Sequence, residues 1–254
     1  MRITSRVATA FVLMLPFVIS CAQQQSVLKP GKSEADQLFS KAKTYYDKGK
    51  WGKAAKLFTE FVFSYPFDDR IAEGTYLLAD SYYNNEEYKL AISEYRRVTQ
   101  RFSESEFAER AELMIAESYL AASPRVALEQ DDTETALEAF RDFIAYHPKS
   151  EYISQAQEGI RRCREKLAEK EYRAAELYYK LRKWDSAMLY ADLIIEEYAG
   201  TSSVPKAMLL KGRVLEEQLE QPEAAIEIFR RIVENYPDTE AAGEASKLLR
   251  KIGG

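Results

Sequence analysis

The side chains that could carry metal, nucleophilic or acid–base chemistry are few. The 254 residues include one histidine, His147, and two cysteines, Cys21 and Cys163. A His/Cys metal site needs three or four clustered ligands, and a Ser-His or Cys-His nucleophile needs an imidazole beside it. Neither can be assembled here. His147 takes an apolar slot in a repeated pattern set out below. Cys163 sits in the stripe Ile153, Ala156, Ile160, Cys163, Leu167, where a free thiol packs as a small hydrophobe. The ten glycines contain neither Walker nor dinucleotide spacing. Carboxylate pairs such as Glu196-Glu197 and Glu216-Glu217 are adjacent in sequence and point apart on a helix. No catalytic residue, metal or cofactor is therefore expected. With 46% apolar and 30% charged residues the chain can bury a large core. The formal charge is −5 and no basic stripe stands out, which argues against nucleic acid as a partner.

Cys21 has a different context. Arg2 and Arg6 precede an apolar run from Val7 to Ile19, too short to span a bilayer, and the run ends in Val18-Ile19-Ser20-Cys21. A charged start with a short apolar run reads as a secretory signal over residues 1–20. The last four residues resemble the bacterial lipobox, in which the cysteine is acylated and becomes the new N-terminus. Acyl chains stabilise attachment by about 0.8 kcal/mol per buried CH₂, enough for several chains to hold a soluble body on a membrane. Ala22 rather than an aspartate follows, as in lipoproteins sorted to the outer membrane. Residues 21–33, the acylated cysteine followed by a stretch rich in Gln, Ser, Lys and Gly, form a flexible tether reaching roughly 40 Å at about 3.3 Å per residue.

Behind the tether, one spacing recurs five times. Ala54, Ala91, Ala136, Ala187 and Ala225 are each followed four residues later by Phe58, Tyr95, Phe140, Ala191 and Phe229. Phe61, Val98, Phe143, Ile194 and Ile232 stand at offset seven, and Tyr65, Phe102, His147, Tyr198 and Tyr236 at offset eleven. Offsets of four, seven and eleven share one helical face. Pro66, Pro148 and Pro237 then stop three of these helices. A first helix precedes each: Ala42-x2-Tyr45, Ala79-x2-Tyr82, Ala116-x2-Tyr119 and Ala175-x2-Tyr178 place a small residue where two helices approach closely.

The size pattern resembles the tetratricopeptide repeat. An all-α solenoid of about five helix pairs is expected, with anchors 37, 45, 51 and 38 residues apart against a consensus of about 34. The third pair gains a loop from Ala122-Ser123-Pro124 to Asp131-Asp132. Residues from Tyr152 to Arg182 read as one helix roughly 45 Å long, with Gly159 costing about 1 kcal/mol against alanine. It divides an N-terminal block, 34–150, from a C-terminal block, 151–254. Pro205 to Leu219 is the poorest first-helix match, and Glu240 to Ile252 closes the stack.

More specific stretches are Tyr65-Pro66-Phe67; Ala139-Phe140 to Tyr146-His147-Pro148 with Ser150-x-Tyr152; and Leu167-Ala168-x2-Glu171-Tyr172 leading to Ala175-Glu176-x-Tyr178-Tyr179. In this order, and with the long connecting helix, the chain resembles the BamD (ComL/YfiO) family of outer-membrane assembly lipoproteins over essentially its whole length. The resemblance implies a non-enzymatic scaffold, lipid-anchored at the periplasmic face of the cell outer membrane. Its implied partners are the barrel-forming subunit of the assembly machinery and the C-terminal targeting signals of unfolded outer-membrane proteins. It assigns the signals to the N-terminal repeats and the subunit to the C-terminal ones, and Arg182 takes the place of a loop arginine implicated in the latter contact. The alternatives are another periplasmic repeat lipoprotein, for instance one coordinating peptidoglycan synthesis with envelope constriction, and an envelope hydrolase built on a carboxylate pair.

First helices line the concave side of such a solenoid. Their outward positions carry Phe39, Lys43 and Tyr46, then Tyr76, Asp80 and Tyr83, then Arg110, Leu113 and Glu117. Four exposed aromatic rings would suit an apolar peptide ending in an aromatic residue and a carboxylate, with Lys43 or Arg110 pairing the carboxylate. The competing expectation is that these rings pack against the neighbouring repeat.

Overall fold

The structure is a computed structural model and describes residues 33–252. The signal segment, Cys21 and the tether up to Lys32 lie outside the described residues. Eleven helices are described: α1 (Glu34–Asp47), α2 (Trp51–Ser64), α3 (Ile71–Asn84), α4 (Tyr88–Arg101), α5 (Ala108–Ala122), α6 (Asp131–Tyr146), α7 (Ile153–Lys180), α8 (Trp184–Glu197), α9 (Ser203–Glu217), α10 (Pro222–Asn235) and α11 (Glu240–Ile252). Each packs on the next, and odd-numbered helices also meet one another, as α7 does with α5 and α9. No described helix is long and apolar enough to cross a membrane.

The anchor alanines and the residues at offsets four and seven are the core of every pair, all exposed by 2% or less. Opposite them lie Ala42, Ala79, Ala116 and Ala175, also fully buried. At offset eleven the residue has left the helix. Tyr65, Phe102, His147, Tyr198 and Tyr236 are C-caps, each donating its N–H to the carbonyl at offset seven. The same corner then repeats: Asp68, Ser105, Ser150, Thr201 and Thr239 donate N–H to the carbonyls of those five caps. In turn their own carbonyls accept from Ile71, Ala108, Ile153, Val204 and Ala242. Identical corners give each hairpin a similar turn relative to the last, which is what bends the stack.

The fifth first helix matches poorly in sequence because its small residue is Gly212, thirteen rather than twelve residues before its anchor. The extra residue is absorbed in the turn, where Glu220 has φ 54° and Gln221 donates to the Leu215 carbonyl. The inserted loop is shorter than expected, since Asp131 and Asp132 already form the first turn of α6, where carboxylates oppose the helix dipole. Buried Gln130 fixes the loop by donating to the Arg125 and Leu128 carbonyls and accepting from Thr133, while Lys166 of α7 reaches the Ser123 carbonyl at 3.2 Å.

Helix α7 serves two cores. Ala156, Gly159 and Cys163 pack with Leu113, Phe140 and Phe143, whereas Ala175 packs with Ala187, Ala191 and Val214. Burial pushes the Cys163 thiol up to about 11, so it stays protonated and unreactive near neutral pH. Gly159 is no weak point. A Cβ there would lie 2.4 Å from Phe140 Cζ, a fully buried ring atom, so the close approach of α6 and α7 requires glycine. Gly159→Ala is therefore expected to destabilise by about 1–3 kcal/mol, against the gain of about 1 kcal/mol from helix propensity alone, and Phe140→Leu should relieve part of the loss; urea denaturation of the single and double variants measures both.

Candidate functional site

The concave side of α1, α3 and α5 holds the nine residues singled out from sequence, but in two layers. Phe39, Tyr76 and Leu113 are buried, which corrects the expectation that four aromatics lie open. Each stands three residues before the small residue of its helix, and there the side chain points into the stack rather than out of it. Phe39 packs edge-on against Phe58 and Phe61, with ring centroids 5.8 and 5.1 Å away. Tyr76 stacks on Phe107 at 5.4 Å and tilts against Tyr95 at 5.6 Å.

A cation covers each ring. The Arg70 guanidinium lies 4.8 Å from the Phe39 centroid and that of Arg110 5.8 Å from Tyr76. Arg70 is itself fixed, donating to both Asp68 oxygens at 2.8 and 2.7 Å and pairing with Asp36 at 2.9 Å. Its hydrogen bonds hold the Asp68 carboxyl below the usual range, while the Asp36 carboxyl is lowered first by its capping bond with Ser33 and further by Arg70.

The two acidic residues are structural staples. Asp80 is 8% exposed and accepts from Tyr46 Oη at 2.5 Å, Asn84 Nδ2 at 2.9 Å and Tyr95 Oη at 3.0 Å, joining α1, α3 and α4. Burial and the Asp80 carboxylate raise the Tyr46 and Tyr95 hydroxyls well above the phenol range, so both remain donors at any physiological pH. Glu117 is 6% exposed and its two oxygens accept from Arg162 Nη2 of α7 at 2.7 and 2.8 Å. Four predicted residues keep accessible surface: Lys43 and Arg110 are exposed, and Tyr46 and Tyr83 are half-buried, edge-on to Trp51 and Tyr88. Among the described residues no group of three His, Cys, Asp or Glu is placed to hold a metal ion.

Arg182 is exposed in the α7–α8 turn and has φ +58°. It donates N–H to the Tyr179 carbonyl, and Lys183 donates to that of Tyr178. Gly49, φ +66°, and Glu86, φ +63°, occupy the same step after Tyr45-Tyr46 and Tyr82-Tyr83, with the same pair of bonds. The turn is thus one repeated device, and Arg182 stands at its left-handed position, where glycine is the favoured residue. Leu177 and Leu181 are exposed beside it. Their counterparts in the first two pairs are polar, Thr44 and Lys48 and then Ser81 and Asn85, so the repeat pattern carries no apolar signal at these positions.

This architecture defines the class: a solenoid of tetratricopeptide hairpins. A tetratricopeptide-repeat profile matches residues 206–239. The profile of the YfiO family, described as an outer membrane lipoprotein, matches residues 32–218, and the chain belongs to that family. It is 26% identical over 204 residues to the outer membrane protein assembly factor BamD of Caulobacter vibrioides, covering 80% of this chain and 67% of the relative. With the protein of the same name from Vibrio cholerae the identity is 22% over 207 residues, covering 78% and 85%. Among solved structures, the TPR2AB domain complex of yeast Sti1 aligns at TM-score 0.46 and 15% identity, over 87% of this chain and 86% of that one. Pseudomonas aeruginosa pilF aligns at 0.37 and 16%, over 84% and 81%.

Replacing Asp80 by alanine would strand the fully buried Tyr95 hydroxyl, and the expected loss is about 2–4 kcal/mol. Tyr95→Phe should cost less in that background than in the parent, a coupling that a double-mutant cycle in urea reads directly.

Proposed function

We propose that the chain is a non-catalytic scaffold lipoprotein of the machinery that assembles β-barrel proteins in the outer membrane. Acyl chains on Cys21 anchor it at the periplasmic face, and the tether gives the solenoid its reach. The observation that carries this reading is membership of an outer membrane lipoprotein family whose curated relatives are named assembly factors. The described residues support it by offering shaped surfaces for polypeptides.

The N-terminal block, residues 34–150, takes the C-terminal signal of an unfolded outer-membrane protein along α1, α3 and α5. Lys43 and Arg110 supply positive charge there, and the exposed edges of Tyr46 and Tyr83 supply apolar contact. Phe39, Tyr76, Leu113, Asp80 and Glu117 act one layer deeper, holding those four side chains in place. The block 151–254 engages the barrel-forming subunit through the turn that carries Arg182, with Leu177 and Leu181 as its apolar contact.

Two results test the two contacts separately. Lys43→Glu combined with Arg110→Glu should weaken binding of a C-terminal outer-membrane-protein peptide by at least tenfold, with far less effect on the same peptide amidated at its C-terminus; fluorescence anisotropy compares them. Arg182→Gly removes the side chain at a left-handed position without strain, so thermal stability should change by no more than about 1 kcal/mol. Affinity for the barrel-forming subunit should nevertheless fall about tenfold in a pull-down titration.

A further inference from the structure

The concave face of the C-terminal helices is built differently from that of the N-terminal ones. Tyr172 of α7 stands three residues before Ala175, the register of Phe39, Tyr76 and Leu113, yet it is only half-buried. It borders a cavity of about 420 Å³ between α7, α9 and α11, walled by Tyr172, Pro205, Leu209 and Ala241. A second cavity of about 230 Å³ shares Tyr172, Lys206, Leu209 and Glu244 with the first and continues along α7 past Glu176 and Tyr179. Two cavities with shared walls form an elongated cradle. An extended chain presents side chains to one face about every 7 Å, so successive residues on that face can enter neighbouring cavities.

Charge selects the occupant. Lys206 Nζ lies 5.5 Å from the Tyr172 centroid, the counterpart of Arg70 over Phe39, but its ion pair is the 3.5 Å contact with Glu169. Glu244 is engaged by Arg213, and Glu176 by Lys180 at 3.0 Å. Glu240, the first residue of α11 and part of the cavity lining, has no ion pair among the described residues. An incoming anion would meet Glu240 and find Lys206 already paired. An incoming cation would meet Glu240, which has no such partner, and the face of Tyr172, where it could take the place of Lys206.

We propose that this cradle binds an extended polypeptide segment that seats bulky apolar side chains in the two cavities and sets a lysine or arginine against Glu240 and Tyr172. The site is separate from the peptide groove on α1, α3 and α5 and adjoins the Arg182 turn only at its Tyr179 end, and it rests on neither of those assignments.

The test uses the full-length lipoprotein in detergent and two fluorescein-labelled probes, acetyl-Gly-Leu-Lys-Leu-Lys-Gly-amide and its counterpart with glutamate in place of lysine. The lysine probe should bind at least tenfold more tightly at physiological salt. Glu240→Lys, at an exposed position, should abolish or reverse that preference. Leu209→Asp should eliminate binding. If Leu209→Asp fails to fold by circular dichroism, Glu240→Lys alone decides. Equal binding of the two probes, no binding of the lysine probe, or a preference that survives Glu240→Lys would overturn the proposal.

Discussion

One contact recurs through the molecule and the rest depends on it: a small residue on a first helix lets the side chain four residues past the anchor alanine of a second helix come to full burial. Ala42 meets this need for Phe58, Ala79 for Tyr95, Ala116 for Phe140 and Gly212 for Phe229, and every partner in the series is fully buried. In the fourth pair both sides are small, Ala175 and Ala191, and the helices still close. At Gly212 the fit is tight enough that a Cβ would come within 2.4 Å of the Phe229 ring. Interiors pack near the density of organic crystals, so such contacts admit little variation, and a repeated contact fixes a repeated angle between hairpins.

Curvature set in this way has a consequence for the concave side. Side chains there lie between consecutive first helices and must be either covered or used. In the N-terminal half they are covered: rings are capped by arginines, and Asp80 and Glu117 are saturated by Tyr46, Asn84, Tyr95 and Arg162. What reaches solvent is a rim of basic and phenolic groups on a stiff floor. Rigid presentation lowers the entropy lost when a partner chain is ordered on it. In the C-terminal half the cover is a single lysine, and the floor opens into cavities. Helix α7 links the two halves, contributing Gly159 and Cys163 to one core and Ala175 to the next.

Much of this was legible from residue spacing. The anchors and their offsets located the second helices, and the Tyr152–Arg182 run located α7 to within two residues. The misreadings share one cause, which is that a helical pattern states which side chains share a face but not what lies opposite. Gly159 looked like a propensity defect because the Phe140 ring is brought to it only by tertiary packing. Phe39 and Tyr76 looked open because the groups that cover them, Phe58, Phe61 and Arg70 for one and Tyr95, Phe107 and Arg110 for the other, are distant in sequence and brought there only by packing. Gly212 escaped notice because one extra residue in the turn before α10 shifts its register. The α7–α9–α11 cradle left no trace in any single segment, since its walls come from three helices.

The central claim is that this curved, lipid-tethered stack serves the assembly of outer-membrane β-barrels. Depleting the protein in its native cells and quantifying the outer-membrane proteome by mass spectrometry tests it most directly. The account predicts a broad fall in β-barrel proteins of different sizes, with lipoproteins sharing the same membrane largely maintained. Unchanged barrel levels, with the defect confined to peptidoglycan composition or cell constriction, would contradict it.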